Sequence, residues 1–221
     1  MHIPYGLLST EVSLATAAAA APWVGWALWR VQRRYEERAV PLMGMLGAFI
    51  FAAQMVNFPV AAGTSGHLLG AALATLLLGA PAAMLVLTAV VVVQAVVFQD
   101  GAITALGANL LNMAVLGVLA TRLVFSGWTR VLGTRWRAAG VLLAALVSIV
   151  VPAAACAAEI AASRLYPLPL VLGAMTGIHV LIGAAEALIT LAVLRCIAAV
   201  RPELTAGLLG KGGGHAPDPV A

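Results

Sequence analysis

A chain of 221 residues that is 63% hydrophobic and only 9% charged, with a mean hydropathy of +1.05, is an integral membrane protein, since soluble domains carry about 25% charged residues. The net charge of +4 is small, and the expected surroundings are membrane lipid and other membrane proteins, with no nucleic acid. The 2 cysteines, Cys156 and Cys196, lie in apolar runs and are too few for a disulfide framework or a zinc site, so both read as small packing residues.

A helix needs about 20 apolar residues to cross a bilayer core of about 30 Å, and the chain offers several such runs. The first extends from Leu7 to Trp29 and ends in the aromatics Trp23, Trp26 and Trp29. No Lys or Arg precedes Arg30, so this run lacks the positive start of a signal peptide and reads as a retained helix. A charged loop, Arg30 to Arg38, leads to a second helix from Pro41 to Val56. The uncharged stretch from Asn57 to His67 is rich in Gly and Pro; such backbone is tolerated at membrane depth only where protein buries it, so it reads as a loop that dips inward.

A short third helix is expected from Gly66 to Leu78, broken by Gly79-Ala80-Pro81 from a fourth, Ala82 to Phe98. Gln99-Asp100-Gly101 is a turn, and a fifth helix covers Ile103 to Val124. A basic loop follows, then a sixth helix from Ala138 to Ile160 and a seventh within Leu168 to Ala199. The expected fold is therefore all-α and polytopic, with about seven transmembrane helices. Residues 1–200 are expected to form one transmembrane domain, and residues 201–221 a flexible cytoplasmic tail.

Seven crossings place the termini on opposite sides. Arg30, Arg33, Arg34, Arg38, Arg122, Arg130, Arg135, Arg137, Arg195, Arg201 and Lys211 then share one side, and Arg164 alone of the 12 basic residues falls on the other. The positive-inside rule puts the C-terminus in the cytoplasm and Met1, the His67 loop and the Gln99-Asp100 turn outside, in the inner (plasma) membrane.

That arrangement lets two distant histidines meet. A chain starting Met1-His2 offers a metal the α-amine of Met1, the amide nitrogen of His2 once deprotonated, and the His2 imidazole. These close two fused chelate rings in one plane. His67 is the candidate fourth nitrogen, and planar nitrogen ligation suits late divalent metals. Taken alone, the same residues also read as an initiating Met beside an interfacial polar residue.

The wording around both histidines carries a resemblance. Met-His-Ile-Pro at the start is followed by Asn57-Phe58-Pro59-Val60, Gly63-Thr64-Ser65-Gly66-His67-Leu68-Leu69-Gly70, Phe98-Gln99-Asp100-Gly101 and Ile103-Thr104-Ala105-Leu106-Gly107-Ala108-Asn109. With Ile178-His179 and Gly183-Ala184-Ala185-Glu186, this resembles the CbiM/NikM family, the substrate-binding membrane components of energy-coupling-factor importers for cobalt and nickel. The resemblance spans about the first 200 residues. It implies Met1, His2 and His67 as the ion's ligands, a transmembrane coupling subunit, a pair of ATP-binding cassette ATPases and a small accessory membrane protein. Tyr5 departs from the family, which commonly has an acidic residue there.

Asn57, Ser65, Gln99 and Asn109 are candidates for orienting the imidazoles, because metal-bound histidine needs a partner for its other nitrogen. Asn57, Gln99 and Asn109, with Asn112, read equally as interhelical hydrogen bonds. His179 and Glu186, two turns apart on one face, read as a buried structural pair, and His215 in the tail as inert. The chain has no phosphate-binding loop, Gly210-Lys211-Gly212 lacking the hydroxyl for Mg²⁺, so energy must come from partner ATPases and the chain is not expected to be an enzyme. A self-sufficient carrier would want coupling carboxylates at the bilayer midplane, where only Glu186 qualifies. The ion is expected to be cobalt(II), with nickel(II) the alternative. The end of the chain without a fused second membrane segment resembles the cobalt systems.

Overall fold

A computed structural model describes residues 1–59, 65–205 and 208–209. Helix α1 (Thr10–Arg34) is capped by Ser9, whose hydroxyl accepts from the Val12 N–H, with Glu11 in its first turn and Arg33 and Arg34 in its last. Those charges oppose the helix dipole at each end. Helix α2 (Val40–Met55) follows, then a two-residue antiparallel pairing of β1 (Phe58–Pro59) with β2 (Ser65–Gly66). Helix α3 (Ala71–Leu78) and helix α4 (Ala80–Val97) meet at Gly79.

The next rod, Ile103–Leu132, is continuous. It contains α5 (Leu106–Asn109), a π-helical stretch (Leu110–Leu116) and α6 (Gly117–Leu132). Two long helices, α7 (Arg137–Ala162) and α8 (Leu168–Val200), complete the bundle before the short α9 (Pro202–Thr205).

Among the described residues, five helices are long and apolar enough to cross a membrane, and Val40–Met55 is a shorter apolar one. The expected third helix is corrected: Gly66 to Gly70 is not helical, and α3 has 8 residues, about 12 Å at 1.5 Å per residue, too short to span. The reason lies in the backbone of Gly70, which sits at φ +78° and turns the chain into α3. A Cβ there would stand 2.7 Å from the Ile50 side chain, so the turn is packed tightly against α2.

Hydrogen bonds tie the ends of the bundle. Ser9 N–H donates to the Ser163 hydroxyl at 3.0 Å, joining the start of α1 to the end of α7. At the opposite end of α1, the Tyr35 hydroxyl donates to the Leu78 carbonyl at 2.8 Å. The outer faces carry exposed Leu14, Met45, Phe49, Val96, Leu123, Leu181 and Leu188, a surface that suits lipid and not water. Cys156 is buried on α7 and Cys196 exposed on α8. The expected tail, with Lys211 and His215, lies largely outside the described residues, as does the stretch Val60 to Thr64.

Candidate metal centre

The first residues of the chain run into the bundle instead of lying on it. Met1 and Ile3 are fully buried and His2 nearly so, and this non-helical segment is held through the main chain of Ile3. Ile3 N–H donates to Asn109 Oδ1 at 2.9 Å, Asn109 Nδ2 donates to the Ile3 carbonyl at 3.5 Å, and Ala102 N–H donates to the same carbonyl at 2.9 Å. Asn109 is therefore a clamp on the N-terminal segment, placed by the helical turn that precedes the π stretch. Gly101, at φ +92°, lies so close that a Cβ would meet Asn109 Nδ2 at 2.9 Å and His2 Cβ at 3.4 Å.

His67 comes from the opposite side, on the non-helical stretch before α3, and is fully buried. Its loop is held from two helices. Gln54 of α2 donates to the Leu69 carbonyl at 2.7 Å, and the Glu186 carboxylate of α8 accepts from the N–H groups of Leu69 and Gly70. The two main-chain donors that the missing helical turn would have used are thus satisfied. Glu186 is a loop anchor, and His179 bonds elsewhere, to the Met175 carbonyl at 2.7 Å. The expected pairing of His179 with Glu186 is replaced by these two separate roles.

The result is a pair of imidazoles, His2 and His67, with ring centres 4.7 Å apart and planes inclined by 25°. In each ring one nitrogen is engaged. His2 Nε2 faces Gln94 Oε1 at 3.1 Å and His67 Nδ1 faces the Leu68 carbonyl at 2.8 Å. Both partners are acceptors, so those nitrogens carry the proton. The remaining nitrogens, His2 Nδ1 and His67 Nε2, are buried with no hydrogen-bond partner, and their lone pairs are free to hold a cation. His2 Nδ1 is also the nitrogen that closes a six-membered chelate ring with the His2 amide.

Burial keeps these groups neutral. It draws the Met1 amine down from 8.0 to about 5, and His2 from 6.5 to about 3, the latter aided by the positive amine beside it. His67 is held well below its ordinary range, first by burial and then by the charges of the amine, His2 and His179. Asp100 is the acidic neighbour: its Oδ1 stands 3.4 Å from His2 Nδ1, and half-burial raises its pKa. Asn57, exposed, donates to Asp100 Oδ2 at 3.1 Å.

The orienting residues expected from the sequence are thus placed unequally. Asn109 holds the N-terminal strand and Asn57 reaches the site through Asp100. Gln99 is exposed in the turn at φ +54°, away from the imidazoles, and the side chain of Ser65 lies outside what is described. Asn112 bonds Glu159 across helices at 2.7 Å. Gln94 and Asp100 were not singled out. Gln94 interrupts the apolar run Val90-Val91-Val92-Val93-Gln94-Ala95-Val96-Val97, and that lone amide in a spanning helix was the available signal. Tyr5 ties the N-terminal loop to the start of the next rod, its hydroxyl accepting from the Ile103 N–H at 3.4 Å.

Among the described residues, no three side chains of His, Cys, Asp or Glu converge to hold an ion. Any four-nitrogen set here must draw on main-chain nitrogen as well.

Fold and site define a polytopic membrane protein with two buried, stacked imidazoles beside its buried N-terminus. Residues 2–204 match the profile of CbiM, the cobalt uptake substrate-specific transmembrane region, and the chain belongs to that family. It is 36% identical over 206 residues to a putative fused nickel transport protein NikMN of Archaeoglobus fulgidus, covering 92% of this chain and 68% of that one. A putative metal transport protein of Haloquadratum walsbyi is 38% identical over 212 residues, covering 92% and 93%. A crystal structure of a truncated transition metal transporter superposes with a TM-score of 0.86 at 30% identity, covering 90% of this chain and 99% of that one. The protein is a multi-pass plasma-membrane component of cobalt/nickel transport.

Proposed function

We propose that this chain captures cobalt(II) for an ATP-driven uptake transporter, using the Met1 amine, the His2 amide nitrogen, His2 Nδ1 and His67 Nε2 as a planar donor set. The observation that carries this reading is the pair of buried, unpartnered nitrogens on His2 and His67, each with its opposite ring nitrogen fixed by an acceptor. Neutral amine and imidazoles offer lone pairs at pH 7, and one deprotonated amide with the Asp100 carboxylate balances a divalent charge. Nickel(II) is the second reading, favoured by its preference for planar nitrogen and by the name of the Archaeoglobus relative.

A buried binding site does not pump by itself. The reading therefore includes a transmembrane coupling subunit, two ATP-binding cassette ATPases and a small accessory membrane subunit, with Met1 facing out and the C-terminus in the cytoplasm. The test is competitive uptake of radiolabelled Co(II) and Ni(II) in cells with and without those partners. Uptake that requires them, with cobalt winning, supports the reading; uptake by this chain alone contradicts the dependence on partners, and a win for nickel reverses the choice of ion.

A further inference from the structure

Three imidazoles, not two, are prepared in the same way in this bundle. His179 on α8 is fully buried, and its Nδ1 lies 2.7 Å from the Met175 carbonyl. The proton therefore sits on Nδ1. Its Nε2 is a buried nitrogen with no hydrogen-bond partner, matching His2 Nδ1 and His67 Nε2. A histidine that serves only packing inside a membrane protein is expected to satisfy both ring nitrogens, because an unpaired buried acceptor costs about 1–3 kcal/mol.

Its location gives that nitrogen a partner to wait for. Glu186, two turns further along α8 and on the same buried face, holds Leu69 and Gly70, so this face of α8 abuts the His67 loop. Among the described residues no three His, Cys, Asp or Glu side chains converge on one ion, so His179 is not gathered with His2 and His67 into a three-side-chain site. A metal-bound water is a strong O–H donor, and a neutral imidazole nitrogen is its matching acceptor.

We propose that His179 determines which ion the site prefers, by accepting through Nε2 a hydrogen bond from a water bound to the ion out of the plane of its four nitrogens. This rests on the ion-capture reading given above. The selectivity follows from electron count. In a planar field of four nitrogens, Co(II) keeps one half-filled orbital along the axis and takes an axial ligand, whereas the filled axial orbital of Ni(II) repels one. Holding the axial water therefore strengthens cobalt binding and leaves nickel binding nearly untouched.

The test uses the purified full chain, loaded with Co(II) alone or Ni(II) alone, with dissociation constants measured against a competing chelator. His179→Ala is expected to weaken Co(II) binding by about tenfold, the lower end for lost outer partners of a metal, with a much smaller change for Ni(II). His179→Gln, whose side-chain oxygen is an acceptor, should restore most of the cobalt affinity. The electron paramagnetic resonance lines of bound Co(II) should broaden in ¹⁷O-water for the wild type, and not for His179→Ala. Equal losses for both ions, which a purely structural role produces, overturn the inference, as does no loss for either. His67→Ala run in parallel separates the two levels: if it abolishes binding while His179→Ala changes nothing, only the inference falls. A wild-type chain that binds neither ion removes the ion-capture reading and this inference together.

Discussion

His2 Nε2 and Gln94 Oε1 stand 3.1 Å apart in the interior of the bundle, and that one contact sets which nitrogen of His2 is free. Gln94 also ends α4, its carbonyl accepting from the N–H groups of both Phe98 and Asp100. The residue that closes the helix therefore orients the N-terminal imidazole and places Asp100 beside it. Gln94→Ala is expected to weaken ion binding by about 10–100-fold, the cost typical of lost outer-shell partners, without preventing membrane insertion. Titration of the purified variant with Co(II) and Ni(II) checks this, and unchanged affinity would dismiss the contact as incidental.

Glu186 makes a second prediction. Its carboxylate accepts from both Leu69 and Gly70 N–H, and Glu186→Ala leaves two buried donors without an acceptor, at about 1–3 kcal/mol each. Lower thermal stability in detergent and weaker ion binding should appear together, because the same loop carries His67. Glu186→Gln, which keeps one acceptor oxygen, should lie between the two. A Glu186→Ala protein with wild-type stability would show that the loop is held by other means.

These two residues mark what was legible in the chain and what was not. Met1, His2 and His67 stood out because a terminal chelate and a Gly-flanked histidine are local patterns, and the structure brings the two imidazoles to 4.7 Å. The third segment is helical from Ala71, but its start is not legible, because the apolar run Leu68 to Leu78 hides the fact that Leu69 and Gly70 give their N–H groups to a carboxylate more than 100 residues away. Gln94 and Gln99 exchange importance for a similar reason. Both flank the end of α4, and which amide faces His2 depends on the helix ending at Val97, with Gln99 thrown outward at φ +54°. Boundaries set by long-range capping are the part that local pattern cannot supply.

Proton release on binding gives a third prediction. In the folded chain the amine pKa of about 5 and the His2 pKa of about 3 both lie below neutrality, so at pH 7 neither group has a proton to lose. Only the His2 amide must give one up, and binding should release about one proton per ion. An unstructured Met-His terminus, whose amine keeps its ordinary pKa of 8.0, would release about two. Calorimetry at pH 7 in buffers of different ionisation enthalpy counts them. Below about pH 5 the amine regains its proton and affinity should fall more steeply.

Topology supplies a fourth. Eleven of the 12 basic residues fall on one side in the proposed arrangement. A reporter fused after Val200 should therefore read cytoplasmic, and one inserted beside Arg164 should read external. The Ser9 to Ser163 contact at 3.0 Å requires the start of α1 and the end of α7 to share a side, whichever side it is. The reverse readout would place the buried N-terminus on the cytoplasmic face and contradict uptake.

The central claim is that the Met1 amine is itself a ligand, and it is tested by adding one residue ahead of Met1. That addition converts the amine to an amide and moves the new terminus out of the plane shared with the His2 imidazole, within a segment whose Met1 and Ile3 are fully buried. The matched control carries the same addition at the C-terminus. Metal content of the two purified proteins, after exposure to equal Co(II) or Ni(II), is the measurement. Stoichiometric ion is expected in the C-terminally extended protein and little or none in the N-terminally extended one; equal, full loading of both would show that the Met1 amine is not a ligand.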